Sequence, residues 1–308
     1  MPEVEVRRPV APADVDTLRR VATSAERAAG HALLGDSVWR DLAHPSPASA
    51  IITARDGERP LGVLHLGPDE GQQSTDRLSA AILPHAPYEE TLHDLVEAAI
   101  DDACARGGRP VELWVFGADR RSDAVAADLR LKPARELWQL RITLPLREAP
   151  RLPPEVNVRA FEPGRDEEAW LRVNNRAFAA DPDQGGWDEA VLAGREREPW
   201  FDPGGFLLAF DDRGLAGFCW TKVHLATPPV EPVSLGEIYV IGVDPRMQGA
   251  RLGPALAIAG LDAVAARGIE TGMLFVAADN KPAMKLYRSL GFTVHRVDRA
   301  YELEVAPA

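Results

Sequence analysis

Two segments in the second half of the chain carry residue types and spacings that suit chemistry. In the first, a glutamate lies in an apolar run, Leu235-Gly236-Glu237-Ile238-Tyr239-Val240-Ile241-Gly242-Val243. The run leads through Asp244-Pro245-Arg246-Met247-Gln248-Gly249-Ala250-Arg251-Leu252-Gly253 into a helical pattern. A glycine-containing turn that opens a helix presents free backbone N–H groups at the positive end of the helix dipole, an arrangement that binds phosphate. Arg246 and Arg251 would add positive charge. The second segment, Asp279-Asn280-Lys281-Pro282-Ala283-Met284-Lys285-Leu286-Tyr287-Arg288-Ser289-Leu290-Gly291-Phe292, follows another apolar run. Asn280 is placed to cap a helix, Ala283, Leu286, Tyr287 and Leu290 recur at helical spacing, and Gly291 is placed to end it.

The elements that must position these residues occur twice. Residues 145–154 hold four prolines and read as a linker, since proline removes a backbone donor and disfavours helix before it. On each side the same order follows. Strand alternation opens at Val4-Glu5-Val6-Arg7 and at Val156-Asn157-Val158-Arg159, and helical stretches follow at 14–29 and 166–180. Hairpins turn at Asp56-Gly57 and at 211–214. Strands ending in proline, 78–84 and 236–245, precede helices at 89–105 and 253–266. Apolar strands at 111–115 and 273–276 come next. A helix and a last strand, 136–143 or 294–303, close each half. The expected fold is α/β with a mixed sheet, arranged as two tandem domains: residues 1–145, a linker at 146–155, and 156–308.

Composition narrows the function classes. At 308 residues the length suits about two domains, and 45% hydrophobic with 27% charged residues suits globular cores. A net charge of −12 argues against a nucleic-acid partner, which needs a basic face. No run is long and apolar enough to predict a membrane span, and residues 1–5 show no secretory pattern. Only Cys104 and Cys219 occur, far apart, so neither a disulfide framework nor a thiolate metal cluster is expected, and a reducing cytoplasm fits. Cys219 reads as a small core residue. His224 and the other histidines form no metal-ligand spacing, so no metal is expected. Trp187 and Trp200 suit packing or sugar stacking equally. A monomer acting on a small molecule is the default expectation.

Together the two chemical segments resemble the GNAT superfamily of N-acetyltransferases, across nearly all of the second half. That resemblance implies acetyl-CoA as co-substrate, with pyrophosphate at the helix N-terminus. The family turn reads Gln/Arg-x-x-Gly-x-Gly/Ala; Gln248 and Gly253 match it, while Arg251 stands where the first glycine is expected. The cofactor segments it implies are Ile241, Gly242 and Val243; Gln248, Gly249, Ala250, Arg251, Leu252, Gly253 and Pro254; and Asn280, Lys281, Pro282, Ala283, Met284 and Lys285. A narrower resemblance to the mycothiol synthases, a family of tandem GNAT proteins from actinobacteria, runs through residues 172–178, 181–187, 198–208, 217–224 and 235–240. It is dense in the second half and thin in the first. It implies acetylation of the cysteinyl amine of a glucosaminyl-inositol. It places Asp36, Asp183, Lys222, Glu237 and Phe275 at substrate contacts, with Asp183 where the family often has Glu and Phe275 where it tends to have Tyr.

The chemistry assigns roles within that frame. An α-amine, with a reference pKa of about 7.7–8.0, must lose a proton before it attacks a thioester, and Glu237 beside the cofactor is the candidate base. Against this stands a strand glutamate in a structural ion pair. Tyr287, with a reference pKa near 10, is the candidate acid for the departing thiolate, against the reading of a core tyrosine. Backbone N–H near Val243 would polarise the carbonyl. The first half has no glycine in the matching stretch Pro84-His85-Ala86-Pro87-Tyr88-Glu89-Glu90, and two carboxylates there would repel phosphate. Its counterpart of Tyr287 falls near Asp128. A degenerate, structural or substrate-covering domain is expected, although the family analogy allows a cofactor site along Ala81-Ile82-Leu83. Two alternatives remain: a tandem GNAT enzyme acting on another small amine, and a non-catalytic acyl-CoA-binding sensor.

Overall fold

The computed structural model describes residues 2–68, 75–179, 181 and 184–306. The first half runs β1 (Glu3–Arg7), α1 (Pro12–Ala29), α2 (Asp36–Ala43), β2 (Ala50–Asp56), β3 (Arg59–Pro68), β4 (Asp76–Ile82), α3 (Tyr88–Ala105), β5 (Val111–Val115), α4 (Arg120–Asp128) and β6 (Lys132–Thr143). The second runs β7 (Asn157–Ala160), α5 (Glu167–Ala177), α6 (Glu189–Glu196), β8 (Phe206–Asp211), β9 (Gly214–His224), β10 (Leu235–Val243), α7 (Leu252–Ala265), β11 (Thr271–Ala277), α8 (Lys281–Leu290) and β12 (Thr293–Leu303). The repeated order expected from the sequence is present. The short helices α2 and α6 are additions at matching places in both halves.

Local chemistry explains the ends. Pro12 and Pro282 sit in first turns, where a missing N–H costs nothing, and Gly30 and Gly291 close α1 and α8 in the left-handed conformation. Asp119 and Asp188 accept backbone N–H bonds at the starts of α4 and α6.

All twelve strands form one sheet, ordered β1-β2-β3-β4-β5-β12-β6-β11-β10-β9-β8-β7. Strand alternation divides the apolar residues between its two faces. On one face, α1 and α2 pack over Ile51, Val63 and Ala81, and α5 and α6 pack over Phe206, Leu208, Phe218 and Trp220. On the other, α3 and α4 cover Ile52, Leu64, Leu78 and Leu113, and α7 and α8 cover Ala216, Cys219, Ile238 and Leu274. Each half thus builds the same pair of cores. The last strands are exchanged across the middle. β12 lies between β5 and β6, and β6 lies between β12 and β11.

Two features of this sheet position the site. In each half the parallel pair, the only one among the described residues, separates partway along. β10 pairs with β11 at Leu235–Glu237 alone, so residues 238–243 have no ladder partner on that side. β4 pairs with β5 from Asp76 to Ser79. A bulge at Tyr239 bends β10 where the strands part. Helix α7 also lies unusually close to the sheet. A Cβ on Gly236 would sit 1.8 Å from Val264 Cγ1, and one on Gly260 would sit 2.4 Å from Cys219 Sγ.

Candidate active site

Glu237 is the last paired residue before β10 and β11 part, and it is 7% exposed. It faces away from α7, sharing its sheet face with Lys222 opposite on β9 and Met273 opposite on β11. Phe275 lies two residues beyond Met273 on the same face, next to Gln139 of β6. The helices of this face pack over β2–β4 and β9–β10, so β5, β12, β6 and β11 floor a cleft between them.

Residues from both halves meet there. Lys222 Nζ lies 3.5 Å from Asp36 Oδ2, across 186 residues of sequence, and over the rings of Trp200 (4.8 Å) and Tyr239 (5.8 Å). The pair draws the start of α2 toward the C-terminal half. At the seam Arg296 chelates Asp298 with bonds of 2.7 and 2.9 Å, and its guanidinium lies over Phe116 from one half and Phe275 from the other. Arg141 reaches Glu231 in the β9–β10 connection at 2.5 Å. His224 Nε2 stands 2.7 Å from Glu237 Oε2. Asp183 lies outside the described residues.

The glycine turn expected to hold phosphate combines two left-handed residues with the start of a helix. After a short 3-10 turn at Pro245–Met247, Gly249 and Arg251 both adopt positive φ, +84° and +58°, and Arg251 is the residue before α7. Arg251 thus occupies a left-handed position that glycine fills without strain, and its side chain runs out to solvent. Arg246 is not offered to phosphate. Its guanidinium folds back onto Asp211 and the carbonyls of Gly214 and Leu215, because Asp211 at the hairpin turn is the nearer anion. Asn280 caps α8 by accepting the Ala283 N–H at 3.1 Å. Residues 281–285 begin that helix, and Met284 is buried. Residues 241–243, 248–254 and 280–285 therefore come from the splayed strand and two helix starts around it.

Tyr287 is buried, edge-on to Phe292 with ring centroids 5.6 Å apart. Burial pushes its phenol well above the usual value, so it stays protonated. Burial likewise pushes the Cys219 thiol up to about 12, in keeping with a core role. Trp187 and Trp200 both join the aromatic cluster around Trp170 and Trp220, and Trp200 also forms part of the cleft wall beside Lys222.

The N-terminal half repeats the splay with other residue types. Its last paired residue is Ser79 rather than a carboxylate, and α3 begins with Glu89 and Glu90. Aligned by caps, Asn280 with Asp119, the counterpart of Tyr287 is Ala126 rather than Asp128. A cavity of about 380 Å³ remains there, lined by Ile82, Tyr88, Trp114 and Phe116 among others.

The sequence leaves Trp200 between packing and sugar stacking and does not point to His224, Tyr239 or Arg296 as site residues. The i, i+2 spacing of Lys222 and His224 was the available signal: on a strand it puts both on the face of Glu237.

Residues 168–292 match the family model described as acetyltransferase (GNAT) family. A protein named mycothiol acetyltransferase from Thermobispora bispora is 40% identical over 97% of this chain and 98% of its own. One of the same name from Mycobacterium marinum is 37% identical over 94% of each chain. Among solved structures, a tandem GNAT protein from the clavulanic acid biosynthesis pathway is similar with a TM-score of 0.71, at 18% identity, over 99% of this chain and 100% of that one. A GCN5-related N-acetyltransferase from Sphaerobacter thermophilus gives 0.70 at 22% identity, over 99% and 96%. At these identities the two structures speak to the fold alone.

Proposed function

The chain belongs to the mycothiol acetyltransferase family, and on that premise we propose that its C-terminal half acetylates the cysteinyl amine of cysteinyl-glucosaminyl-inositol. It is an acetyl-CoA-dependent N-acetyltransferase with a tandem GNAT fold. Residues 156–308 form the catalytic half, and residues 1–145 form a degenerate half that covers the substrate. No helix among the described residues is long and apolar enough to cross a membrane. A reducing cytoplasm suits a substrate that carries a thiol.

The observation that carries the reading is Glu237 at the apex of the strand splay, with Lys222 and Asp36 closing the cleft across the two halves. Acetyl-CoA supplies the acyl group as an activated thioester. Residues 241–243 would hold its pantetheine arm along their unpaired edge, and the turn of residues 248–254 would hold its pyrophosphate. Glu237 takes the proton of the substrate ammonium, so that the nitrogen lone pair can attack. The backbone N–H near Val243 would polarise the thioester carbonyl. Tyr287 gives its proton to the departing thiolate. Lys222, Asp36 and Phe275 orient the sugar-linked amine.

The experiment measures acetylated product by mass, because a thiol substrate confounds colorimetric detection of CoA. The cysteinyl glucosaminyl-inositol should turn over, and Glu237→Gln should lower kcat/KM by about 10²–10⁴-fold. Turnover confined to other amines would sink the substrate assignment. Tight acetyl-CoA binding with no turnover on any amine would sink the catalytic one.

A further inference from the structure

A glutamate that accepts a proton from an incoming amine needs one carboxylate oxygen aimed at it and the rest of the side chain held. On an antiparallel ladder the groups in reach are the residue directly opposite and its diagonal neighbours. For Glu237 these are Lys222, directly opposite, and His224, on the diagonal. Lys222 does not hold the carboxylate. Its ammonium is turned over Trp200 and Tyr239 toward Asp36. His224 fills that place, with Nε2 at 2.7 Å from Glu237 Oε2.

That distance is in the range of a hydrogen bond to an ionised group. A carboxylate only accepts, so the hydrogen sits on the imidazole Nε2. The bond engages Oε2, and Oε1 has no hydrogen-bond partner among the described residues. The surroundings make the asymmetry useful. The Glu237 side chain is 9% exposed, whereas His224 is 33% exposed at the very end of β9. The histidine is thus the more exposed partner, and Oε1 is the oxygen its bond leaves free. A glutamate has three rotatable bonds. Without the histidine it could swing to the Lys222 ammonium, which stands opposite it and would compete with the substrate amine.

We infer that His224 is the positioning residue for Glu237: it pins Oε2 by donating from Nε2 and so presents Oε1 to the substrate amine. This rests on the reading of Glu237 as the base. In the step it serves, the amine N–H bond breaks and an Oε1–H bond forms, while the imidazole keeps its own proton throughout.

The test compares His224→Gln, whose amide nitrogen reaches about as far as Nε2 and donates, with His224→Phe, which keeps the ring volume and donates nothing. His224→Ala is the second deletion variant should the Phe variant fail to fold, and thermal melts establish that each protein is folded. His224→Phe is expected to lower kcat by about 10- to 100-fold, with KM for both substrates within about two-fold. His224→Gln should recover most of the rate. In a Glu237→Gln background, His224→Phe should cost nothing further, because the histidine acts only through the glutamate. A folded His224→Gln as impaired as His224→Phe would overturn the proposal, as would additive losses in the double variant. Full activity of Glu237→Gln would instead show that the base reading itself is wrong. Loss of activity in Glu237→Gln beside full activity in His224→Phe would leave that reading standing and remove the histidine alone.

Discussion

Arg251 offers a test in which backbone and charge pull apart. It stands before α7 at φ +58°, ψ +22°, where a side chain bearing a Cβ is strained. A left-handed residue of this kind costs about 1–2 kcal/mol. Glycine removes that strain but adds about 0.5–1 kcal/mol of freedom to the unfolded chain. Arg251→Gly should therefore stabilise the protein by about 0.5–1 kcal/mol. Arg251→Ala keeps the strain and should leave stability near that of the parent. Both variants lose the same guanidinium. Because that group is exposed, its attraction for a phosphate is worth no more than about 1 kcal/mol. Both should then weaken acetyl-CoA binding equally, by no more than about five-fold. Urea unfolding and calorimetric titration read the two effects separately. If the alanine variant is as stable as the glycine variant, the residue is not held left-handed. If both variants bind acetyl-CoA more than about ten-fold tighter, the side chain crowds the phosphates, contrary to its outward course.

Further outcomes follow from other positions. Tyr287→Phe should lower kcat by about 10- to 100-fold with acetyl-CoA binding intact. Because burial raises the pKa of Tyr287 and its acid form is the working one, the parent's kcat should show no alkaline loss from this group up to about pH 10. Gly260→Ala, whose Cβ would meet Cys219 Sγ, should cost about 1–3 kcal/mol in denaturant unfolding, and adding Cys219→Ala should return part of it. At pH 8 an alkylating reagent should label the partly exposed Cys104 and spare Cys219 until the protein is unfolded, as peptide mapping would read. Cutting the chain within residues 146–155 should leave two pieces that stay associated on gel filtration, while either piece expressed alone should aggregate, since β6 and β12 are exchanged.

Much of this was readable in the residues because the governing forces are local. Alternation gives the hairpins, and Asp56-Gly57 gives one of their turns. Proline and glycine punctuate α1, α7 and α8, and Asn280 caps the last. The short helices α2 and α6 were less legible: at eight residues each, their apolar positions are too few to establish a period. Arg246 looked available to phosphate because a sequence does not show that Asp211, 35 residues away, is beside it. His224 was set aside for want of metal-ligand spacing, and only the register of β9 against β10 reveals its contact with Glu237.

The exchanged strands also account for why a half that lacks the glycine turn and the tyrosine keeps the whole fold. β11 needs a partner on the side away from β10, or its edge is open to pairing with other chains. That partner is β6, which belongs to the first half. β12, which follows directly from the helix carrying Tyr287, lies between β5 and β6, so both of its neighbours come from the first half. The cleft floor alternates the halves in the same way, with Phe116, Arg296, Gln139 and Phe275 contributed in turn by β5–β12–β6–β11 and the residue after β5. The absence of a glycine turn between β4 and α3 leaves the sheet of the first half intact. Loss of its sheet would strip both neighbours from β12, one from β11, and Asp36 from Lys222. The N-terminal half can therefore vary at its own turn but not at the strands that complete the other half's sheet.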